Sequence, residues 1–173
     1  MNLPNKLTVL RILLIPVCLL LWALGQPVAS AAVFAIAAFT DFLDGYIARK
    51  RNIVTVFGKF ADPVADKIMV LTAMVFLCAD GRLPAWAVSV VAARELMVDG
   101  LRLVAVGKGT VIAAGWPGKI KTNLQIFCVL AAMLLPLGHW ITLVLTIAMA
   151  AMTVWSGAQY VWGYRDTLKS GGM

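Results

Sequence analysis

The sequence predicts an all-α, polytopic membrane protein with six transmembrane helices and both termini on the cytoplasmic side. Three observations predict it. Mean hydropathy is +0.91, and 62% of the 173 residues are hydrophobic, which is too apolar for a soluble core of this size. Only 13% are charged, against roughly 25% in soluble domains. The apolar residues fall into six runs, each close to the ~20 residues that cross a bilayer as a helix. At this length one domain, residues 1–173, is expected.

The first run extends from about Leu7 to Leu24 and stops at Gly25-Gln26-Pro27. Lys6 and Arg11 give it the look of a signal peptide, but further spans follow, so it reads as the first membrane helix. The second runs from about Val28 to Ala48 and the third from about Phe57 to Ala79. The fourth follows Arg82-Leu83-Pro84 and reaches about Val106. The fifth covers about Lys119 to Leu135, and the sixth about Trp140 to Trp162. Gly25–Pro27, Asp80–Pro84 and Pro136–His139 are short connections whose one basic residue is Arg82. Lys6, Arg49, Lys50, Arg51, Lys59, Lys108, Lys119, Lys121, Arg165 and Lys169 collect at the other ends, and the positive-inside rule makes that side cytoplasmic. Trp22, Trp86, Trp140 and Trp162 fall near the expected interfaces.

Several function classes are set aside. The net charge of +7 reads as cytoplasmic loops facing anionic lipid, not as a nucleic-acid surface. Cys18, Cys78 and Cys128 sit singly in apolar runs, without the pairing of a disulfide framework or a metal motif. His139, alone in a Gly-His-Trp turn, reads as interfacial.

Four aspartates stand out. Asp41 and Asp44 are three apart near the cytoplasmic end of the second helix, and Asp62 and Asp66 are four apart near the start of the third. Those spacings put each pair on one helix face, and the short loop makes the two helices antiparallel neighbours. An Asp at mid-membrane costs about 2.5 to 3.5 kcal/mol, less near the interface, and four like charges repel. Protonation, basic partners (Arg49, Lys50, Lys59, Lys67) or cations must relieve this. Oxygen-only ligands favour hard ions, Mg²⁺ or Mn²⁺ and then Ca²⁺, and two pairs of acids suggest two ions. Gly45, Ala48 and Gly58 flank the acids. Small residues there admit either a ligand or a neighbouring helix.

Asp41-Phe-Leu-Asp44-Gly45-Tyr-Ile-Ala48-Arg49, then Gly58-Lys-Phe-Ala-Asp62-Pro-Val-Ala-Asp66, resembles the signature of the CDP-alcohol phosphatidyltransferase family at every fixed position. The resemblance implies a six-helix membrane enzyme, usually a homodimer. Such an enzyme displaces CMP from a CDP-linked lipid with an alcohol acceptor at a two-metal site. By that resemblance Asp41, Asp44, Asp62 and Asp66 hold two divalent ions, Mg²⁺ or Mn²⁺. Asp66 is also the candidate base for the acceptor hydroxyl, Asp44, Gly45, Ala48 and Gly58 line the nucleotide pocket, and Arg49 contacts the diphosphate. Asn5, Thr8 and Arg11, each three apart, are read either as contacts to the CDP part of the donor or as an interfacial helix start with a cap and a snorkelling arginine.

The acceptor is read from the fourth and fifth helices. Arg94, Glu95, Asp99 and Arg102 span about a 140° arc of an otherwise apolar helix. Intramembrane ionisable residues are functional-site candidates. Lys119 and Lys121 open the fifth helix, where they oppose its macrodipole. The four cations could form a phosphate pocket that stays net positive after Glu95 and Asp99 are subtracted. The alternative is Arg–Glu pairing within the helix plus ordinary cytoplasmic lysines. A positive pocket suits an anionic acceptor such as glycerol 3-phosphate, with about two negative charges, and suits choline or ethanolamine poorly. Asn2 to Arg11, Arg94-Glu95 to Arg102, Gly118 to Thr122 with Gln125, and Trp155-Ser156 with Gln159-Tyr160 resemble the bacterial branch of the family that takes glycerol 3-phosphate. Asp99 departs from that pattern and bears on acceptor affinity. The expected substrates are CDP-diacylglycerol and glycerol 3-phosphate, in a bacterial cytoplasmic membrane with the site near its cytoplasmic face. Inositol phosphate or phosphatidylglycerol is the alternative acceptor. A divalent-cation transporter is the alternative of another class.

Overall fold

The computed structural model describes residues 3–51, 56–107, 116–136, 138–163 and 165, with side chains at all of these except 3–5, 42–51, 56–63 and 106–107. Six helices carry the described chain: α1 (Leu3–Ala23), α2 (Pro27–Arg51), α3 (Val56–Ala79), α4 (Ala85–Gly107), α5 (Trp116–Leu134) and α6 (His139–Gly163). No strand occurs among the described residues. Each expected run is a helix, and several are longer than the apolar run inside them. α2 continues through Arg49 to Arg51, and α5 begins three residues before Lys119. Backbone hydrogen bonding continues past the point where apolar residues stop.

The ends follow from local chemistry. Gly25, at φ +70°, closes α1 with a paired cap. Its N–H meets the Trp22 carbonyl at 3.0 Å and the Gln26 N–H meets the Leu21 carbonyl at 2.9 Å. Pro27 then occupies the first position of α2, where a missing N–H costs nothing, and Ser30 N–H bonds back to the Gln26 carbonyl at 3.0 Å. Gly81, at φ +71°, repeats the same cap on α3, with Gly81 N–H on Cys78 (3.0 Å) and Arg82 N–H on Leu77 (2.9 Å). Both glycines accept a left-handed conformation that side chains resist.

The chain divides into two compact units, residues 1–82 with 129–137, and residues 83–128 with 138–173. In the first, α1 packs on α2 and α3, and α2 on α3. Ser30 Oγ donates to the Cys18 carbonyl at 2.8 Å across the α1–α2 contact. Arg82, the basic residue of the short connections, has a structural task here. It donates to the carbonyls of Ala132 (2.9 Å) and Met133 (3.4 Å) at the end of α5, where a cation also meets the negative end of the helix dipole. Its guanidinium lies 5.0 Å from the Trp22 ring centroid, and Trp22 Nε1 donates to Asp80 at 2.8 Å. In the second unit α4 packs on α6.

An apolar core is present, but charged and polar side chains are buried with it and many large apolar ones are exposed. Arg11 is 0% exposed, while Leu96 and Leu103 are each 71% exposed. Thr8, Arg94, Glu95, Lys121, Gln125, Thr153 and Ser156 are buried as well. Polar groups inside and large apolar groups outside fit a hydrocarbon solvent. By length and composition two described segments, Lys6–Ala23 and His139–Gly163, are each long and apolar enough to cross a membrane. A shorter apolar stretch, Pro27–Asp41, lies in α2.

Thermal unfolding in detergent tests these caps. Gly81→Ala should lower stability by about 1 kcal/mol, whereas Gly100→Ala, with open space around its Cβ, should leave it unchanged or raise it. Arg82→Ala should cost about 1 to 2 kcal/mol through the lost carbonyl bonds.

Candidate active site

The first unit presents the aspartate-bearing helices. On α1, Thr8, Arg11, Ile15 and Cys18 form a buried stripe at spacings of three and four, the face that meets α2 and α3. Arg11 therefore points into the unit, and its NH1 pairs with Asp41 Oδ1 at 2.6 Å. Of the two readings of Arg11, snorkelling to the interface does not fit this burial. A buried guanidinium without a counter-charge would be strongly destabilising, and Asp41 supplies it. Asp41 in turn stays partly open, with 35% of its side chain exposed. Among the described residues, Asp41 thus has a basic partner on α1.

On α3, Asp66 is half-buried beside the fully buried Ala65. α2 carries Asp41 and Asp44 and α3 carries Asp62 and Asp66, and the two helices pack on each other. The side chains of Asn5, Asp44, Gly45, Ala48, Arg49, Gly58 and Asp62 lie outside the described residues. Among the described residues no three His, Cys, Asp or Glu side chains gather. The donor set on these helices consists of carboxylates alone, which suits a hard divalent ion and not a thiolate- or imidazole-preferring one.

The second unit holds the basic cluster. Arg94 and Glu95 on α4 are both buried. Arg94 NH1 faces the two Glu95 carboxylate oxygens at 3.3 and 3.4 Å, and Arg94 NH2 donates to Ser156 Oγ on α6 at 2.9 Å. The buried Lys121 of α5 pairs with the same Glu95 oxygen side. Two cations thus share one carboxylate, and the trio keeps one positive charge. The Arg–Glu pairing considered as an alternative is present, but it does not neutralise the cluster.

About two turns further along α4, Arg102 NH2 donates to the Tyr160 hydroxyl of α6 at 2.6 Å. Asp99 is half-buried on the same helix. Lys119 is exposed and joins none of these contacts among the described residues. The structure therefore brings Arg94 and Lys121 together through Glu95, sets Arg102 on Tyr160, and leaves Lys119 at the surface.

Ser156 and Tyr160 had no assigned role from the sequence. The signal was available: Thr153, Ser156 and Tyr160 recur at spacings of three and four in a helix that is otherwise apolar, and all three are buried. Thr153 also receives Gln125 Nε2 from α5 at 3.3 Å. Gly157 sits in this row because a Cβ there would stand 3.1 Å from Arg94 Cγ. The Arg94 stem lines an apolar groove of about 680 Å³ with Val90, Met97, Val154 and Val161, while its head reaches the polar row. An arginine is tolerated in apolar surroundings by dividing itself in this way.

Comparison with known proteins fits this arrangement. The chain is 48% identical over 148 residues, 77% of each chain, to the CDP-diacylglycerol--glycerol-3-phosphate 3-phosphatidyltransferase of Bacillus subtilis (strain 168). Proteins of the same name are similar over almost the full length. The one from Shigella flexneri serotype 5b (strain 8401) is 38% identical and the one from Escherichia coli (strain K12) 37%, each over 96% of this chain and 97% of the relative. The model of the CDP-alcohol phosphatidyltransferase family matches residues 1–155, from the α1 stripe through most of α6. With the aspartate-bearing helices and the basic cluster both inside that match, the chain belongs to the CDP-alcohol phosphatidyltransferase family.

Proposed function

We propose that the protein transfers the phosphatidyl group of CDP-diacylglycerol to sn-glycerol 3-phosphate, giving phosphatidylglycerophosphate and CMP. The observation that carries the choice of acceptor is the buried Arg94–Glu95–Lys121 trio, which retains positive charge, with Arg102 one helical face along. A cationic or neutral acceptor gains nothing from such a cluster, whereas a phosphate dianion gains charge-assisted hydrogen bonds. The names of the relatives agree with this reading.

In the reaction the primary hydroxyl of the acceptor attacks the lipid-side phosphorus. The new O–P bond forms as the bond to CMP breaks, and the hydroxyl proton passes to Asp66. Asp41, Asp44, Asp62 and Asp66 would hold two divalent ions, Mg²⁺ or Mn²⁺, which when bound stabilise charge on the attacking and leaving oxygens. Arg11 holds Asp41 through their ion pair. Asn5, Thr8, Arg11, Asp44, Gly45, Ala48, Arg49 and Gly58 are assigned to the CDP moiety, and Arg94, Arg102 and Lys121 to the acceptor phosphate. Lys119, exposed at the start of α5, attracts the anion from the cytoplasm. Phosphoryl transfer asks a protein mainly for positioning and charge stabilisation, and these residues supply both.

We read all six helices as spans of a bacterial cytoplasmic membrane and both termini as cytoplasmic. The 173 residues are taken as one catalytic domain that works as a homodimer. The apolar exterior of the helices supports the membrane reading.

Two experiments test the proposal. Purified protein in detergent with CDP-diacylglycerol and Mg²⁺ or Mn²⁺ should release CMP with glycerol 3-phosphate. It should not do so with inositol phosphate, phosphatidylglycerol or serine, and chelation should stop the release. Asp62→Asn should lower the rate by roughly a hundredfold or more. Release with a different acceptor would overturn the assignment of the basic cluster. Lys121→Met should raise KM for glycerol 3-phosphate about tenfold or more, the worth of one charge-assisted bond, with KM for CDP-diacylglycerol within about twofold. An unchanged acceptor KM would remove Lys121 from the pocket.

A further inference from the structure

Two arginines assigned to acceptor binding converge on one aromatic residue. The Arg94 guanidinium carbon lies 5.8 Å from the Tyr160 ring centroid and that of Arg102 lies 5.3 Å from it. Arg102 NH2 also donates to the Tyr160 hydroxyl at 2.6 Å. Tyr160 is itself fixed: it is 7% exposed and packs with Val98 and Ala105 of α4. The two arginines are held differently. Arg94 faces the Glu95 carboxylate, so part of its charge is already answered. Arg102 is held by a neutral phenol, which orients the guanidinium and leaves its charge for an incoming anion. The Nε atoms of Arg94 and Arg102 are both buried without a hydrogen-bond partner among the described residues.

We propose that Tyr160 is a positioning residue for acceptor recognition, setting Arg102 beside Arg94 so that both guanidinium groups engage the same phosphate. The inference rests on the reading of Arg94, Arg102 and Lys121 as the acceptor-phosphate pocket. An arginine loses rotamer freedom when it binds an anion, and a residue that holds it beforehand removes that cost from the binding step. The ring supplies a cation–π surface to both arginines, and the hydroxyl fixes which way the Arg102 fork points. Tyr160 acts through the arginines and does not itself touch the reacting atoms.

The test uses the full-length enzyme in detergent and measures KM and kcat for both substrates in Tyr160→Phe, Arg102→Ala and the double variant. Phe keeps the ring and the packing against Val98 and Ala105, so folding is preserved and only the hydroxyl is lost. Tyr160→Phe is expected to raise KM for glycerol 3-phosphate about five- to tenfold, with kcat and KM for CDP-diacylglycerol within about twofold. Arg102→Ala is expected to raise the acceptor KM further, and adding Tyr160→Phe to it should change little, because the hydroxyl then has no guanidinium to hold. If Arg102→Ala raises the acceptor KM and Tyr160→Phe does not, the positioning role is overturned and the pocket stands. A full additional increase in the double variant also overturns it, since the hydroxyl would then act independently of Arg102. If Arg102→Ala leaves the acceptor KM unchanged, the reading of the pocket itself fails. A fall in kcat with both KM values unchanged would assign Tyr160 to another step.

Discussion

A charge removed from water must meet another charge or a set of hydrogen bonds, and this constraint organises both units of the protein. Transfer of an isolated ion into apolar surroundings costs far more than folding can supply. Here Arg11 is wholly buried and meets Asp41, while Arg94 and Lys121 are nearly so and share Glu95. Each pairing removes most of the penalty, but not in the same way. The Arg11–Asp41 pair is balanced, so it stiffens the aspartate's helix without adding net charge. The Arg94–Glu95–Lys121 trio is unbalanced, so it remains attractive to an anion. The same physics thus leaves a balanced pair in one unit and a net positive trio in the other.

The surroundings of these charges are built to hold them at low cost. Small residues stand where side chains must pass: Gly157 gives room to the Arg94 stem, and Ala65 is fully buried beside Asp66. Hydroxyls on α6 take bonds that water would otherwise make, Ser156 from Arg94 and Tyr160 from Arg102. Away from the charges the helices are finished by ordinary means. Glycines in the left-handed region close α1 and α3, and Arg82 caps the carbonyls at the end of α5 while lying over Trp22. Arg82 is the one basic residue of the short connections, and its two roles in packing account for it.

Much of the fold was legible because apolar helices are encoded locally. Six apolar runs became six helices, and Gly25, Pro27 and Gly81 marked ends that φ and hydrogen bonding then required. The helix bounds were less legible, since α2 runs on through Arg49 to Arg51 and charge does not stop a backbone ladder. In the candidate site, the spacing of Arg94, Glu95, Arg102 and Lys121 was enough to gather them as a cluster. It could not say that Glu95 is shared between two cations, or that Lys119 stays outside. Both depend on which face of α5 turns inward, and two lysines two apart on a helix point in different directions.

By itself, the sequence determined the helical class, the number of helices, the aspartate signature and the sign of the charge near α4. These rest on composition and on spacings within one segment, where periodicity is fixed by covalent geometry. The tertiary structure alone decided the pairings between segments: Arg11 of α1 with Asp41 of α2, Lys121 of α5 with Glu95 of α4, and Arg102 of α4 with Tyr160 of α6. Such partners are separated by 26 to 58 residues in the last two cases. No local rule selects among the many hydroxyls and acids a guanidinium could reach. Packing chooses the partner by deciding which helix faces meet, and the cost of leaving a buried charge unanswered makes that choice binding.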